Sequence, residues 1–260
     1  MTDLSGRISI GDVGLSLLLV LVAVVVSRAR KADLERDIVI ATFRSFAQLL
    51  AVGFVLDYVF DGNAALTPVV LAVMVATATL TSGARGRRVP GAHGIALASV
   101  TAATAGTLGV LLALRIVPAV PRAAIPLGSM IISNAMNVAS LVMTRLRDDL
   151  ASHRREVEAR LSLGQTAAEA SQDWHRAALR SGTLPIIDQT KVVGLVALPG
   201  AMTGMLLAGA SPTSAIRLQL VVMYMLLGGN AFAALVAGHL TVGRLFTPHH
   251  QLIRSLSRNA

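Results

Sequence analysis

Residues 10–27 read IGDVGLSLLLVLVAVVVS, and RARK follows at 28–31. Asp12 is the only charge in the run, and the cations come after it. A helix needs about 20 mostly apolar residues to cross roughly 30 Å of hydrocarbon. A secretory leader would place its positive charge before the run and end in a small-residue cleavage site. The stretch therefore predicts an uncleaved first transmembrane helix with its N-terminus outside. Six further runs of this kind follow, at 38–60, 64–82, 90–114, 123–144, 192–210 and 218–240. They predict an all-α polytopic membrane helix bundle of about seven transmembrane helices, a single domain over residues 1–260 with an inside C-terminus.

Composition points the same way. The 260 residues are 54% hydrophobic and 14% charged, where a soluble domain carries about 25% charged residues. With the N-terminus outside, segments 28–37, 83–89, 145–191 and 241–260 are inner and hold 18 of the 23 lysines and arginines. The outer segments hold Arg7, Arg115, Arg122 and Arg217. Cytoplasmic loops are enriched in Lys and Arg, so the net charge of +9 reads as topological anchoring and not as a nucleic-acid surface. The chain has no cysteine, which excludes disulfides, thiolate metal sites and cysteine nucleophiles. It also lacks the phosphate-cradling loop that requires Gly before Lys. Its two lysines, Lys31 and Lys191, follow other residues. No cofactor is expected on this chain, and any ATP and magnesium belong to a partner.

The one long connection, 145–191, is expected to be cytosolic and helical. Its first helix should cover about 148–163 and end at Gly164, a residue suited to a left-handed stop. Thr166 with Glu169 three residues on forms a capping-box pattern, where hydroxyl and carboxylate satisfy free N–H groups reciprocally. The second helix should start there, run to about Ser181 and stop before Pro185.

Polar residues inside the runs are the candidate chemistry. Met130, Ser133, Asn134 and Asn137 are spaced i, i+3, i+4, i+7 and share a helix face. Amides in hydrocarbon need partners, so this face should point into the bundle or a wet cavity. It could line a substrate pathway or make helix–helix hydrogen bonds. Pro199, Gly200 and Gly204 mark either a broken helix or a close crossing. Arg44 lies about two turns inside its span, where it snorkels or forms a functional ion pair. Nine methionines raise a soft-metal site, but Met223 and Met225 lie on different faces. His249-His250 reads as a solvated tail, and no metal site is assigned.

Glu158-Ala159-Arg160-Leu161-Ser162-Leu163-Gly164 resembles the coupling-helix segment of ATP-binding-cassette (ABC) permeases. Residues 126–137 (PLGSMIISNAMN) and 198–204 (LPGAMTG), with Gly209, Ser211-Pro212, Gln219, the Arg44 and Gln48 pair and residues 161–170, resemble one permease family. That is the FetB-type (UPF0014) family, which includes bacterial iron-exporter permeases and plant aluminium-tolerance proteins. The sequence departs from the family pattern at Ser129, Ser133, Ala201 and Met205.

The resemblance implies a non-enzymatic permease subunit, paired as a homodimer in the inner plasma membrane and driven by a separate ABC ATPase. It implies export of an iron-like metal ion or metal-linked solute. It places Arg44, Gln48, Ser133, Asn134, Asn137, Met202, Thr203, Met205 and Gln219 along the pathway. Glu158, Arg160, Gly164, Thr166 and Glu169 become the ATPase-coupling residues. The alternative is a stand-alone carrier driven by an ion gradient. Such carriers keep charges deep in their helices and show internal repeats, whereas the third, fifth and sixth runs are uncharged.

Overall fold

The computed structural model describes residues 10–60, 64–196, 198–253 and 256. Arg7, Arg254 and Arg258 of the charge count lie outside the described residues. Among the described residues ten α-helices follow one another: α1 (Ile10–Arg30), α2 (Glu35–Phe60), α3 (Thr67–Arg85), α4 (Ala92–Ala113) and α5 (Pro121–Ser152), then α6 (Arg154–Ser162), α7 (Ala167–Ala170), α8 (Gln172–Val192), α9 (Gly200–Leu207) and α10 (Pro212–Leu245). Six of them, α1 to α5 and α10, are long and apolar enough to cross a membrane. α5 and α10 have 32 and 34 residues. At 1.5 Å per residue each is about 50 Å long, more than the hydrocarbon requires, so both extend past it.

The chain divides into two compact units, residues 1–64 with 199–217 and residues 65–198 with 218–260. In the first, α1 and α2 form a hairpin. Its turn places Lys31 and Asp33 at positive φ. Ser27 closes it: the hydroxyl accepts the Leu34 N–H at 3.1 Å and donates to Glu35 Oε1 at 3.0 Å. Large apolar side chains point outward, with Leu19, Phe43 and Phe54 each about three-quarters exposed at 75%, 74% and 76%. Water would penalise such a surface heavily, whereas lipid solvates it.

The expected span at 192–210 is not a membrane-length helix. Gly194 stands at φ +84°, and Pro199 is the extended residue before α9, which has only eight residues. An apolar composition does not by itself supply helical backbone. A left-handed glycine and a proline lacking an N–H interrupt this run.

The second unit holds the core. α3, α4 and α5 pack on one another, and α8 lies along α5. Ile131, Ala135, Ala139, Val142, Leu146 and Leu150 form the buried stripe of α5. Small residues allow the helices to approach closely. A Cβ on Gly128 would fall 2.6 Å from the Leu71 side chain of α3, and one on Gly182 of α8 would fall 2.6 Å from Val142 of α5. The C-terminal part of α10 packs on α8 in the same way, since a Cβ on Gly238 would meet the His175 ring at 2.5 Å.

Two helix boundaries differ from expectation. α5 continues to Ser152, so the break falls at His153 and not before residue 148. Its core-facing stripe runs on through Leu146 and Leu150, which carries the membrane helix into the loop. α8 runs through Pro185 to Val192. A proline inside a helix removes one hydrogen bond and crowds the preceding turn. Here Trp174, Ala178, Gly182 and Ile186, four residues apart, are all buried on one face. Packing along that face outweighs the local defect.

Candidate functional site

Residues 153–192 form an ordered three-helix module at the end of α5. Its turn is built as expected. Gly164 stands at φ +88°, and an added Cβ there would meet nothing within 4 Å. The conformation, not crowding, therefore selects glycine. The Thr166 hydroxyl accepts the Glu169 N–H at 3.3 Å, and Glu169 Oε2 accepts the Thr166 N–H at 2.8 Å. Both halves of the capping box are thus present. The Thr166 N–H, followed by its hydroxyl, holds the Glu169 carboxyl below the usual carboxylate range, and His250 adds to the effect. The box is therefore intact above the ordinary glutamate pKa, and its contribution is lost as pH falls through the depressed value.

Arg160 joins the module together. Its guanidinium donates to Asp173 of α8 at 2.8 Å and to Glu156 of α6 at 2.8 Å. It also sits 4.8 Å from the centre of the Trp174 ring, a cation–π arrangement. The hydrogen bond to Asp173 leads the effects that raise its pKa further. Glu158 pairs with Arg154 at 2.6 Å. The His153 ring lies tilted against Trp174, with the ring centres 5.4 Å apart. Sequence spacing gives Glu156–Arg160 as an i, i+4 pair, but nothing local announces Asp173 or Trp174 as partners.

The C-terminal tail also reaches this module. The backbone of Phe246 pairs with that of Leu252, and Leu252 and Leu256 are buried. The Ala167 N–H donates to His250 Nδ1 at 3.1 Å, so the tail caps α7. The expected solvated tail is thus partly docked. His175, between α8 and α10, has a buried Nε2 without a hydrogen-bond partner. Burial, and secondarily His239, push it below the usual imidazole range.

The pathway candidates fall on both units. Arg44 and Gln48 lie one turn apart on α2, exposed, and Arg44 makes no ion pair among the described residues. Met202, Thr203 and Met205 are on α9, half-buried, where the Thr203 hydroxyl donates to the Pro199 carbonyl at 3.1 Å. Within their own unit, a Cβ on Gly200 or Gly204 would meet nothing within 4 Å. Gln219 of α10 is buried, and its Oε1 lacks a partner.

Ser133, Asn134 and Asn137 share one stripe of α5, as their spacing predicts, but the stripe turns away from the core of its unit. The Ser133 hydroxyl and the Asn134 amide donate to the Met130 carbonyl of their own helix. Asn137 Oδ1 accepts from Arg85 Nη1 at 2.8 Å. Opposite the buried stripe, Ser133 and Asn137 are exposed and Ser129 is half-buried. Among the described residues, no group of three or more His, Cys, Asp or Glu could hold a metal ion.

Among the described residues, six membrane-length helices and an ordered helical module at the end of α5 define a polytopic, all-helical membrane protein. The chain belongs to the Uncharacterised protein family UPF0014, whose model matches residues 10–246. This is the family the sequence motifs resemble. The rice (Oryza sativa subsp. japonica) UPF0014 membrane protein STAR2 is 41% identical over 90% of this chain and 82% of its own. Protein ALUMINUM SENSITIVE 3 of Arabidopsis thaliana is 38% identical, covering 91% and 87%. The Probable iron export permease protein FetB of Escherichia coli strain K12 is 33% identical over 96% of both chains. No solved structure matches the chain.

Proposed function

We propose that this chain is the membrane-spanning permease subunit of an ABC transporter, working as a homodimer in the plasma (inner) membrane. One observation carries the reading: the 153–192 module is an internally braced helical element packed on α5 through α6 and α8, in a chain whose relatives include a Probable iron export permease protein. A coupling element has to pass force from an ATPase to the bundle without melting. The capping box, the Gly164 reversal and the Arg160 clamp onto Asp173 and Trp174 supply that stiffness. ATP and magnesium belong to the partner, which docks on the module around Glu158, Arg160 and the Gly164 turn.

The charge asymmetry supports a cytosolic side for the α6–α7 turn of the module and an outside N-terminus. The whole of residues 1–260 then works as one permease domain. Export of a metal ion, or of a metal-linked solute, follows the named activity of the bacterial relative. The polar stripe of α5 supports a pathway role for Ser133, Asn134 and Asn137, because hydroxyl and amide groups exposed at membrane depth suit a wet cavity better than lipid. Arg44, Gln48, Met202, Thr203, Met205 and Gln219 are proposed to complete the pathway.

Affinity purification of the tagged full chain from native membranes tests the reading. An ABC ATPase should co-purify, and it should be lost when the module is altered at Gly164. Purification of the chain from native membranes with no ATPase bound contradicts it.

A further inference from the structure

Where α3 ends, residues 85–89 and 144–148 enclose an open cleft of about 220 Å³. Four arginines, Arg85, Arg87, Arg88 and Arg147, are among its lining residues, against the single acidic residue Asp148. Arg147 is the unusual member. Its side chain is only 9% exposed. Nη1 donates to Asp148 at 2.7 Å, but Nε is buried without an acceptor. Buried charges are ordinarily paired and their N–H groups satisfied, because desolvation is otherwise uncompensated.

The neighbouring charges are also unneutralised. Arg87 and Arg88 are exposed and make no salt bridge among the described residues. Arg85 gives its hydrogen bond to a neutral amide, Asn137. The C-terminal carbonyls of α3 offset about half a charge, far less than the excess. Topological anchoring accounts for cations in this short connection. It does not account for a buried guanidinium with a free N–H in a preformed concavity.

We propose that this cleft binds a phosphate-bearing anion, held by Arg147 at its floor and by Arg85, Arg87 and Arg88 at its rim. A phosphate offers several acceptor oxygens to a set of N–H donors, and charge-assisted bonds of this kind are the strong ones. The cleft sits at the end of a membrane-length helix, an end that meets the headgroup layer when α3 crosses the bilayer. The phosphate can therefore come from an anionic phospholipid or from free phosphate in solution. The inference stands apart from the transport reading, since it assigns no part of the cargo or the ATPase contact.

Three forms of the full chain in neutral detergent would be titrated: wild type, Arg87→Gln/Arg88→Gln, and Arg28→Gln/Arg30→Gln as a charge-matched control on exposed positions of α1. The probes are short-chain phosphatidylglycerol, inorganic phosphate, and short-chain phosphatidylcholine as a reference, with binding read by calorimetry. Wild type should bind phosphatidylglycerol or phosphate above the phosphatidylcholine reference. Because each basic residue near an anionic headgroup contributes to the attraction, the Arg87/Arg88 change should weaken that binding roughly 10- to 30-fold. The control should leave it unchanged. Phosphatidylglycerol binding that millimolar phosphate cannot displace assigns a lipid site, and displacement assigns a free-anion site. Equal binding by all three forms, an equal loss in both double variants, or no binding above the reference overturns the proposal.

Discussion

Gly182→Ala adds a single methyl group at the crossing of α8 and α5. The new Cβ would lie 2.6 Å from Val142 Cγ2 and 3.3 Å from Val138 Cγ1. Ordinary carbon contacts lie at about 3.5–4.0 Å, so the helices must part by roughly 1 Å. Val142 is fully buried and, being β-branched, is held to one χ1 rotamer in a helix. It cannot turn aside. Overpacking of this kind costs about 1–3 kcal/mol, or about 2–4 °C in melting temperature per kcal/mol for a chain of this size. Thermal unfolding of the purified chain in detergent measures it. Val142→Ala removes the clashing methyl, so the double variant should be less destabilised than the two single changes together. A Gly182→Ala chain that melts like wild type, or strictly additive effects, would refute the packing of α8 on α5.

Gly164→Val should insert normally, because every membrane-length helix is untouched, yet lose ATPase co-purification. A β-branched residue at φ +88° costs about 1–3 kcal/mol in the turn, and retained co-purification would separate the turn from coupling. Glu158→Arg should act likewise through reversed charge. His175 binds a proton less readily in the fold than in the unfolded chain. Its packing is therefore undisturbed above the ordinary imidazole pKa of about 6.5 and loses stability as pH falls below it. Melting from pH 7.5 to 5.5 should drop more in wild type than in His175→Gln, and equal drops would contradict the assignment. The Asn134→Leu/Asn137→Leu chain should fold and assemble but transport poorly in a flux assay. Full transport would leave these amides with a packing role alone.

Features set by neighbouring residues were legible in the sequence. The capping box at Thr166, the reversal at Gly164 and the shared face of Ser133, Asn134 and Asn137 depend on spacings of three or four residues. Features decided at a distance were not. Pro185 reads as a stop until the buried ladder of Trp174, Ala178, Gly182 and Ile186 is seen to hold the helix. Hydropathy makes 192–210 look like a span, although Gly194, Pro199 and Gly200 carry the signal that breaks it. The Arg160–Asp173 clamp and the His250 cap join residues 13 and 83 positions apart, with no local mark. Arg147 did leave a trace: it falls in helical phase with the buried Met143 and Leu150, an expensive place for a cation.

Transport in proteoliposomes containing the chain alone, then the chain with its ATPase, tests the central claim most directly. The permease account predicts no metal flux from the chain alone under an imposed proton or sodium gradient. It predicts flux on adding ATP once the ATPase is reconstituted with it. Robust gradient-driven flux from the chain alone would contradict the account and establish a secondary carrier.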